Sequence, residues 1–313
     1  MSKIVIALGG NALGNNPKEQ IEMIEKASKP LVGLIKDGHE IIISHGNGPQ
    51  VGTRKLAFDT VSAANDKVCE MELAECTAMS QGYIGYHLQQ GIKRELLNQQ
   101  VDRNVVTIVT QVVVDKNDKA FSNPTKPIGS FYTKEKAEEL KKANPDLKFV
   151  EDSGRGYRTV VASPRPVDII EKAAILDLTA NKYIVIACGG GGIPVYKNDA
   201  GTLEGVSAVI DKDFAAEKLA ELVNADYLFI LTAVDRVSVN FGKPEQKDLA
   251  SMTVEEAYRY CDEGHFAPGS MLPKVEAATM FVKSGENRNA VICSLEKVQL
   301  AVKGESGTLI KKQ

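Results

Sequence analysis

Short apolar runs rich in β-branched residues punctuate the chain at residues 4–8, 40–44, 105–114, 183–188, 227–232 and 290–293. Several lack the alternation of a half-exposed strand, which suits strands buried on both faces of a mainly parallel sheet. Between them, residues 70–97, 168–180, 213–223 and 273–284 carry helical composition. Strands and helices taken in turn predict an α/β fold, a three-layer αβα sandwich around a mainly parallel central sheet. Residues 115–166 break that rhythm with Asn117-Asp118, Pro124, Pro127, Asn144-Pro145 and Gly154-Arg155-Gly156. A stretch so long and turn-rich reads as an inserted, protruding lid subdomain.

Polar and glycine residues gather where the apolar runs stop. Residues 4–8 lead into Gly9-Gly10-Asn11-Ala12, residues 40–44 into His45-Gly46-Asn47-Gly48, and residues 183–188 into four glycines, 189–192. Glycine lets successive backbone N–H groups face one point, so such turns can cradle an anion. In open parallel sheets, ligands bind beyond the carboxyl ends of the strands, where all three turns fall. None has the G-x-G-x-x-G spacing or a following G-K-[ST], so a dinucleotide fingerprint and a Walker loop are both excluded.

Cations for a phosphate must therefore come from elsewhere. Lys126 sits between Pro124 and Pro127 on stiff backbone. By spacing alone it reads more readily as a solvated surface residue. Lys212 lies between Asp211 and Asp213 at a helix start, where one of the aspartates is expected to serve as N-cap. Lys274 follows Pro273, read as the first position of another helix, where the macrodipole disfavours a cation. His45, ending a strand, reads as a structural group before an acid or base.

Composition narrows the classes without choosing among them. The 313 residues are 43% hydrophobic and 25% charged, those of an ordinary globular protein in one large domain or two lobes. A net charge of −3 gives no support for a nucleic-acid partner. There is no apolar run of membrane-spanning length and no signal pattern after Met1. Five cysteines without a C-x-x-C pair point to reduced thiols and a cytoplasmic setting.

The motifs taken together resemble those of carbamate kinases of the amino-acid kinase superfamily, end to end. They are Ala-Leu-Gly-Gly-Asn-Ala at 7–12, His-Gly-Asn-Gly-Pro-Gln-Val-Gly at 45–52, Ser-Gln-Gly-Tyr-Ile-Gly-Tyr at 80–86 and Asn-Pro-Thr-Lys-Pro-Ile-Gly at 123–129. Gly-Gly-Gly-Gly-Ile-Pro-Val at 189–195, Ala-Val-Ile-Asp-Lys-Asp at 208–213 and Gly-Ser-Met-Leu-Pro-Lys at 269–274 complete the set. Related kinases place a lysine where this chain has Ala7, and the resemblance gives that lysine's work to Lys126. The chain departs from the pattern at Tyr157-Arg158-Thr159, which lacks a second basic residue, and at Met71-Glu72-Leu73 in place of Pro-Leu-Asp.

The resemblance implies reversible phosphoryl transfer between carbamoyl phosphate and ADP, giving ATP and carbamate, with Mg²⁺ arriving on the nucleotide. It implies Lys126, Lys212 and Lys274 as catalytic residues with Asp213 organising them. Gly9, Gly10, Asn11, Gly46, Asn47 and Gly48 would bind substrate. Gly190, Gly191, Lys212, Thr232, Ala233, Asp235, Met271, Pro273 and Lys274 would bind nucleotide. Residues 1–184, with the lid, would hold the carbamoyl side and residues 185–313 the nucleotide, in a cytoplasmic homodimer. No metal ligand is assigned. Two other readings stay open: a sister enzyme acting on another carboxylate or phosphonate, and a non-catalytic sensor of the same ligands. Ala7 and the 123–129 motif argue against the first, and the three lysines against the second.

Overall fold

The computed structural model describes residues 2–9, 13, 14, 16–145, 147–152 and 154–313. An eight-stranded sheet runs in the order Ser251–Thr253, Thr308–Lys311, Asn289–Ser294, Tyr227–Thr232, Lys3–Leu8, Glu40–His45, Ile184–Ile186, Val105–Thr107. Its pairings are parallel except that of Asn289–Ser294 with Thr308–Lys311. Lys3–Leu8 lies at the centre, bonded to Tyr227–Thr232 on one side and Glu40–His45 on the other. The two halves of the chain thus share one sheet.

Both faces of that sheet are buried, which is why its strands show no alternation. Ile4, Ile6 and Leu8 join Ile41, Ile43 and Phe229 in one core. Val5 and Ala7 join Ile42, Leu228 and Ile230 in the other. Helices Pro17–Lys36 and Leu73–Asn98 cover the first face through Leu31, Leu34, Ile84 and Leu88. Helices Lys212–Leu222, Val254–Asp262 and Met271–Lys283 cover the second through Phe214, Leu219, Ala257, Val275 and Phe281. The result is the three-layer sandwich. No helix among the described residues is long and apolar enough to cross a membrane.

Several expected boundaries move, each for a local reason. The apolar run 105–114 divides: Val105–Thr107 stays in the large sheet, while Gln111–Val114 joins a second one with Leu203–Gly205, Ile193–Lys197 and Pro166–Ile169. Thr110 marks the break. Its backbone N–H donates to Gln81 Oε1 at 2.7 Å, its carbonyl accepts from Gln81 Nε2 at 3.0 Å, and its hydroxyl accepts from the Cys188 N–H at 3.0 Å. A buried glutamine here replaces ladder partners, and hydropathy cannot register that. Helical composition at 168–180 likewise begins with the strand Pro166–Ile169, the helix starting at Lys172. The helix carrying Lys274 starts at Met271, so Pro273 is its third residue, still in the first turn where no intrahelical donor is lost. The helix after the first glycine turn starts only at Pro17, capped by Asn16.

Within residues 115–166, strands Lys126–Tyr132, Tyr157–Val161 and Phe149–Glu151 form their own antiparallel sheet with helix Lys134–Ala143. This subdomain rests on helix Gln50–Ser62 at a contact of two glycines. A Cβ on Gly52 would stand 2.2 Å from the Gly129 backbone nitrogen, so any larger residue must push the strand away. Gly129 itself has φ of +70°, a conformation glycine adopts without strain.

Candidate active site

The carboxyl ends of the central strands converge on one edge. Gly10 and Asn11 lie outside the described residues. Gly9 is part-buried, its Cβ position 3.0 Å from the Leu231 carbonyl oxygen. Ala7, which stands where related kinases carry lysine, is fully buried. The Gly46 N–H is already taken, donating to the Leu8 carbonyl at 3.1 Å and so prolonging the sheet. His45 Nδ1 bonds the Gly46 carbonyl at 2.9 Å. Burial draws its pKa down to about 4, against the pull of that bond, so the ring stays neutral and structural. Gly48 is in the left-handed region at φ +56°.

The four-glycine run is a packing junction. Gly191 donates to the Cys188 carbonyl at 3.1 Å and Gly192 to Gly189 at 3.0 Å, so these two donors close the turn instead of facing outward. Gly190 and Gly191, expected at the nucleotide, are buried. A Cβ on Gly191 would come within 2.2 Å of the Ile210 carbonyl oxygen. The run therefore lets residues 210–213 lie directly against the sheet, and a strand, Ile193–Lys197, follows it.

That close approach places the charged groups. Asp211 is the N-cap of helix Lys212–Leu222, its carboxylate accepting from the Asp213 N–H at 2.9 Å. Its other oxygen accepts from Lys126, the first residue of the subdomain strand Lys126–Tyr132. Asp213, only 2% exposed, takes Lys212 Nζ on one oxygen at 2.7 Å and Lys274 Nζ on the other at 2.8 Å. Three ammonium groups from three separate elements thus meet two carboxylates. Lys126 is not a solvated surface lysine; its side chain is 30% exposed and ion-paired.

The electrostatics are unequal within the cluster. Burial alone would raise the Asp211 carboxyl, but Lys126 and Lys212 outweigh it and hold the group well below the usual carboxylate range. Burial would lower Lys212, yet Asp213 and Asp211 leave its pKa raised. Lys274 goes the other way: burial and then the Lys212 ammonium push it below its ordinary value, against Asp213. One positive charge is left in excess, and Lys274 bears the strain of it. A multiply charged anion among these three lysines would relieve it.

The remaining expected nucleotide residues sit close by in sequence to this edge. Thr232 ends its strand, Ala233 is exposed, and Asp235 accepts a hydrogen bond from Ser294 Oγ at 2.5 Å. Asp235 also lines an open cavity of about 440 Å³ with Val234, Arg236 and Phe241. Met271 and Pro273 lie half-buried in the helix turn that presents Lys274. Among the described residues, no three His, Cys, Asp or Glu side chains are grouped to hold a metal ion.

Sequence reasoning missed part of the site. Asp211 is both cap and partner of Lys126, a pairing 85 residues apart that no local pattern encodes. Gln50 was passed over too. Its Nε2 donates to the Gly14 carbonyl at 3.1 Å, while Asn47 Nδ2 donates to the Gly190 carbonyl at 3.2 Å. These two amides brace the 45–50 turn against Gly14 and against the four-glycine run.

The Amino acid kinase family matches residues 2–294. A carbamate kinase of Clostridium perfringens is 55% identical over 315 residues, covering 99% of this chain and 100% of that one. A carbamate kinase-like protein of Escherichia coli is 51% identical over 308 residues, 98% of each chain. The solved structure of carbamate kinase from Giardia lamblia bound to AMP-PNP matches with a TM-score of 0.90 at 41% identity, covering 100% of this chain and 99% of that one.

Proposed function

The chain belongs to the amino acid kinase family and, within it, to the carbamate kinases, and on that footing we propose that it moves a phosphoryl group between carbamoyl phosphate and ADP. One observation carries the reading: Lys126, Lys212 and Lys274 converge on Asp211 and Asp213 with one positive charge uncompensated. In the ATP-forming direction, a β-phosphate oxygen of ADP attacks the phosphorus of carbamoyl phosphate. The bond from phosphorus to the carbamoyl oxygen breaks, and carbamate leaves as an anion. Run backwards, carbamate is already an anionic nucleophile, so no general base is required.

Catalysis of this kind is positioning and charge neutralisation. Lys212 and Lys274 approach the transferring group from the nucleotide side, at fixed places on one buried carboxylate. Lys126 approaches from the subdomain, which acts as a lid. Without an anion Lys126 rests on Asp211, and an incoming phosphoryl group competes for it. A divalent ion such as Mg²⁺ enters on the nucleotide as part of that substrate. Thr232, Ala233, Asp235, Met271 and Pro273 are our choice for the adenosine side. Incubating the purified protein with ADP, Mg²⁺ and carbamoyl phosphate should yield ATP with equimolar loss of carbamoyl phosphate. No ATP above the uncatalysed background would overturn the assignment.

A further inference from the structure

We propose that Arg165 is a positioning residue for the phosphoryl transfer, one that holds the lid lysine Lys126 in place relative to Lys212 and Lys274. This rests on the carbamate kinase reading above and deepens it. Arg165 stands where the chain leaves the inserted segment, between strands Tyr157–Val161 and Pro166–Ile169. Pro164 and Pro166 flank it, so its backbone has little freedom. Its N–H donates to Asp118 Oδ2 at 2.9 Å. Asp118 lies near where the chain enters the same segment and caps helix Lys119–Ser122, its Oδ1 accepting from the Ala120 N–H at 2.8 Å. Entry and exit are thus tied at one point.

From that point the side chain extends to the two helices that carry the other lysines. The guanidinium lies over the ring of buried Phe214, its central carbon 3.3 Å from the ring centroid. Phe214 directly follows Asp213 in helix Lys212–Leu222. Nη2 of the same guanidinium donates to Glu276 Oε2 at 3.2 Å, and Glu276 follows Lys274 closely in helix Met271–Lys283. One planar group therefore touches both lysine-bearing helices beside their lysines, while its backbone belongs to the segment that carries Lys126. The Val209 N–H also holds the exit, donating to the Ala162 carbonyl at 3.0 Å, but Val209 lies in neither helix. Stability is a weak reason for the arrangement. The side chains of Arg165 and Glu276 are 50% and 37% exposed, and an ion pair so open to water contributes little. Position matters more, since a misplacement of about 1 Å that originates away from the reacting atoms can cost roughly 10²-fold in rate. Lysine cannot take its place, because only a planar fork both covers a ring and reaches sideways to a carboxylate.

Arg165→Met keeps an aliphatic stem over Phe214 and loses both the fork and the charge. ATP formation from ADP and carbamoyl phosphate would be followed for the full-length protein, for Arg165→Met, for Lys126→Ala and for the double variant, with Tm measured on each. Arg165→Met should lower kcat about tenfold or more, with KM for ADP within about twofold and Tm little changed. Arg165→Lys should fall with it, despite the retained charge. In the Lys126→Ala background, Arg165→Met should change kcat by less than about twofold, because the lysine it positions is gone, whereas independent effects would multiply. If kcat of Arg165→Met stays within about twofold of the unaltered protein, or falls by the same factor with and without Lys126, the proposal is wrong. Full activity in Arg165→Lys would also overturn it, leaving only an effect of charge. Should Arg165→Met fail to fold, Arg165→Lys carries the same two comparisons. An unaltered protein that makes no ATP would defeat the carbamate kinase reading itself, a different outcome from any of these.

Discussion

Asp213 is the residue on which the site turns. A carboxylate with 2% exposure is stable only when its oxygens are satisfied, and here each oxygen holds one lysine. Those lysines stand 62 residues apart in the chain, yet one buried group fixes both. Replacing either Lys212 or Lys274 with alanine should lower turnover by about 10²–10³, in line with loss of one preorganised cation at a developing charge. Each variant should fold but with reduced stability, because the remaining lysine still compensates the Asp213 charge while one buried carboxylate oxygen loses its partner. Steady-state kinetics on the two single variants test this, and near-normal turnover in both would remove them from the mechanism. At this scale the sequence was informative wherever a motif carried its own context. Asp-Lys-Asp before a helix announced a held lysine. It did not announce that Asp211 would also reach Lys126, because that pairing depends on how an inserted segment folds back.

Helix Lys212–Leu222 shows what an element adds to its residues. Its first turn serves the site, while Glu217, one turn further in, is 1% exposed with Oε2 unpartnered among the described residues. Burial raises its pKa from 4.5 to about 7, Lys218, Arg165 and Arg288 only partly opposing it and Glu221 adding to it. The folded protein therefore keeps that proton where the unfolded chain has lost it. Its contribution to stability is full below pH 4.5 and is lost as pH rises through 7. His45 runs in the opposite sense: neutral when folded, with a pKa near 4 against 6.5 unfolded, it costs stability as pH falls from 6.5 towards 4. The two slopes oppose one another in the wild type. Glu217→Gln removes one of them, so its Tm relative to wild type should climb by several degrees between pH 4.5 and 7.5, from roughly 3 kcal/mol of linkage. A Tm difference that does not change with pH would show that Glu217 is not held protonated. Strand and helix identities along these elements were readable from apolar runs. Their ends were not, because Gln81 and Thr110, not hydropathy, decide where residues 105–114 split.

For the whole molecule, the pattern of two-face burial carried the layered fold, and the turn-rich break at 115–166 marked where a separate small sheet would form. What stayed hidden is how that sheet docks. Gly52 against Gly129 and Lys126 against Asp211 are contacts between distant segments, each needing two surfaces to be in place. The function proposed here depends on that docking, since it brings the third lysine to a site the other two already share. The measurement that tests this most directly is the turnover of Lys126→Ala in ATP formation from ADP and carbamoyl phosphate, with nucleotide affinity determined alongside. A fall of roughly 10²-fold or more with nucleotide affinity nearly unchanged is the predicted result. Full activity in Lys126→Ala would contradict the account and return this lysine to a purely structural ion pair.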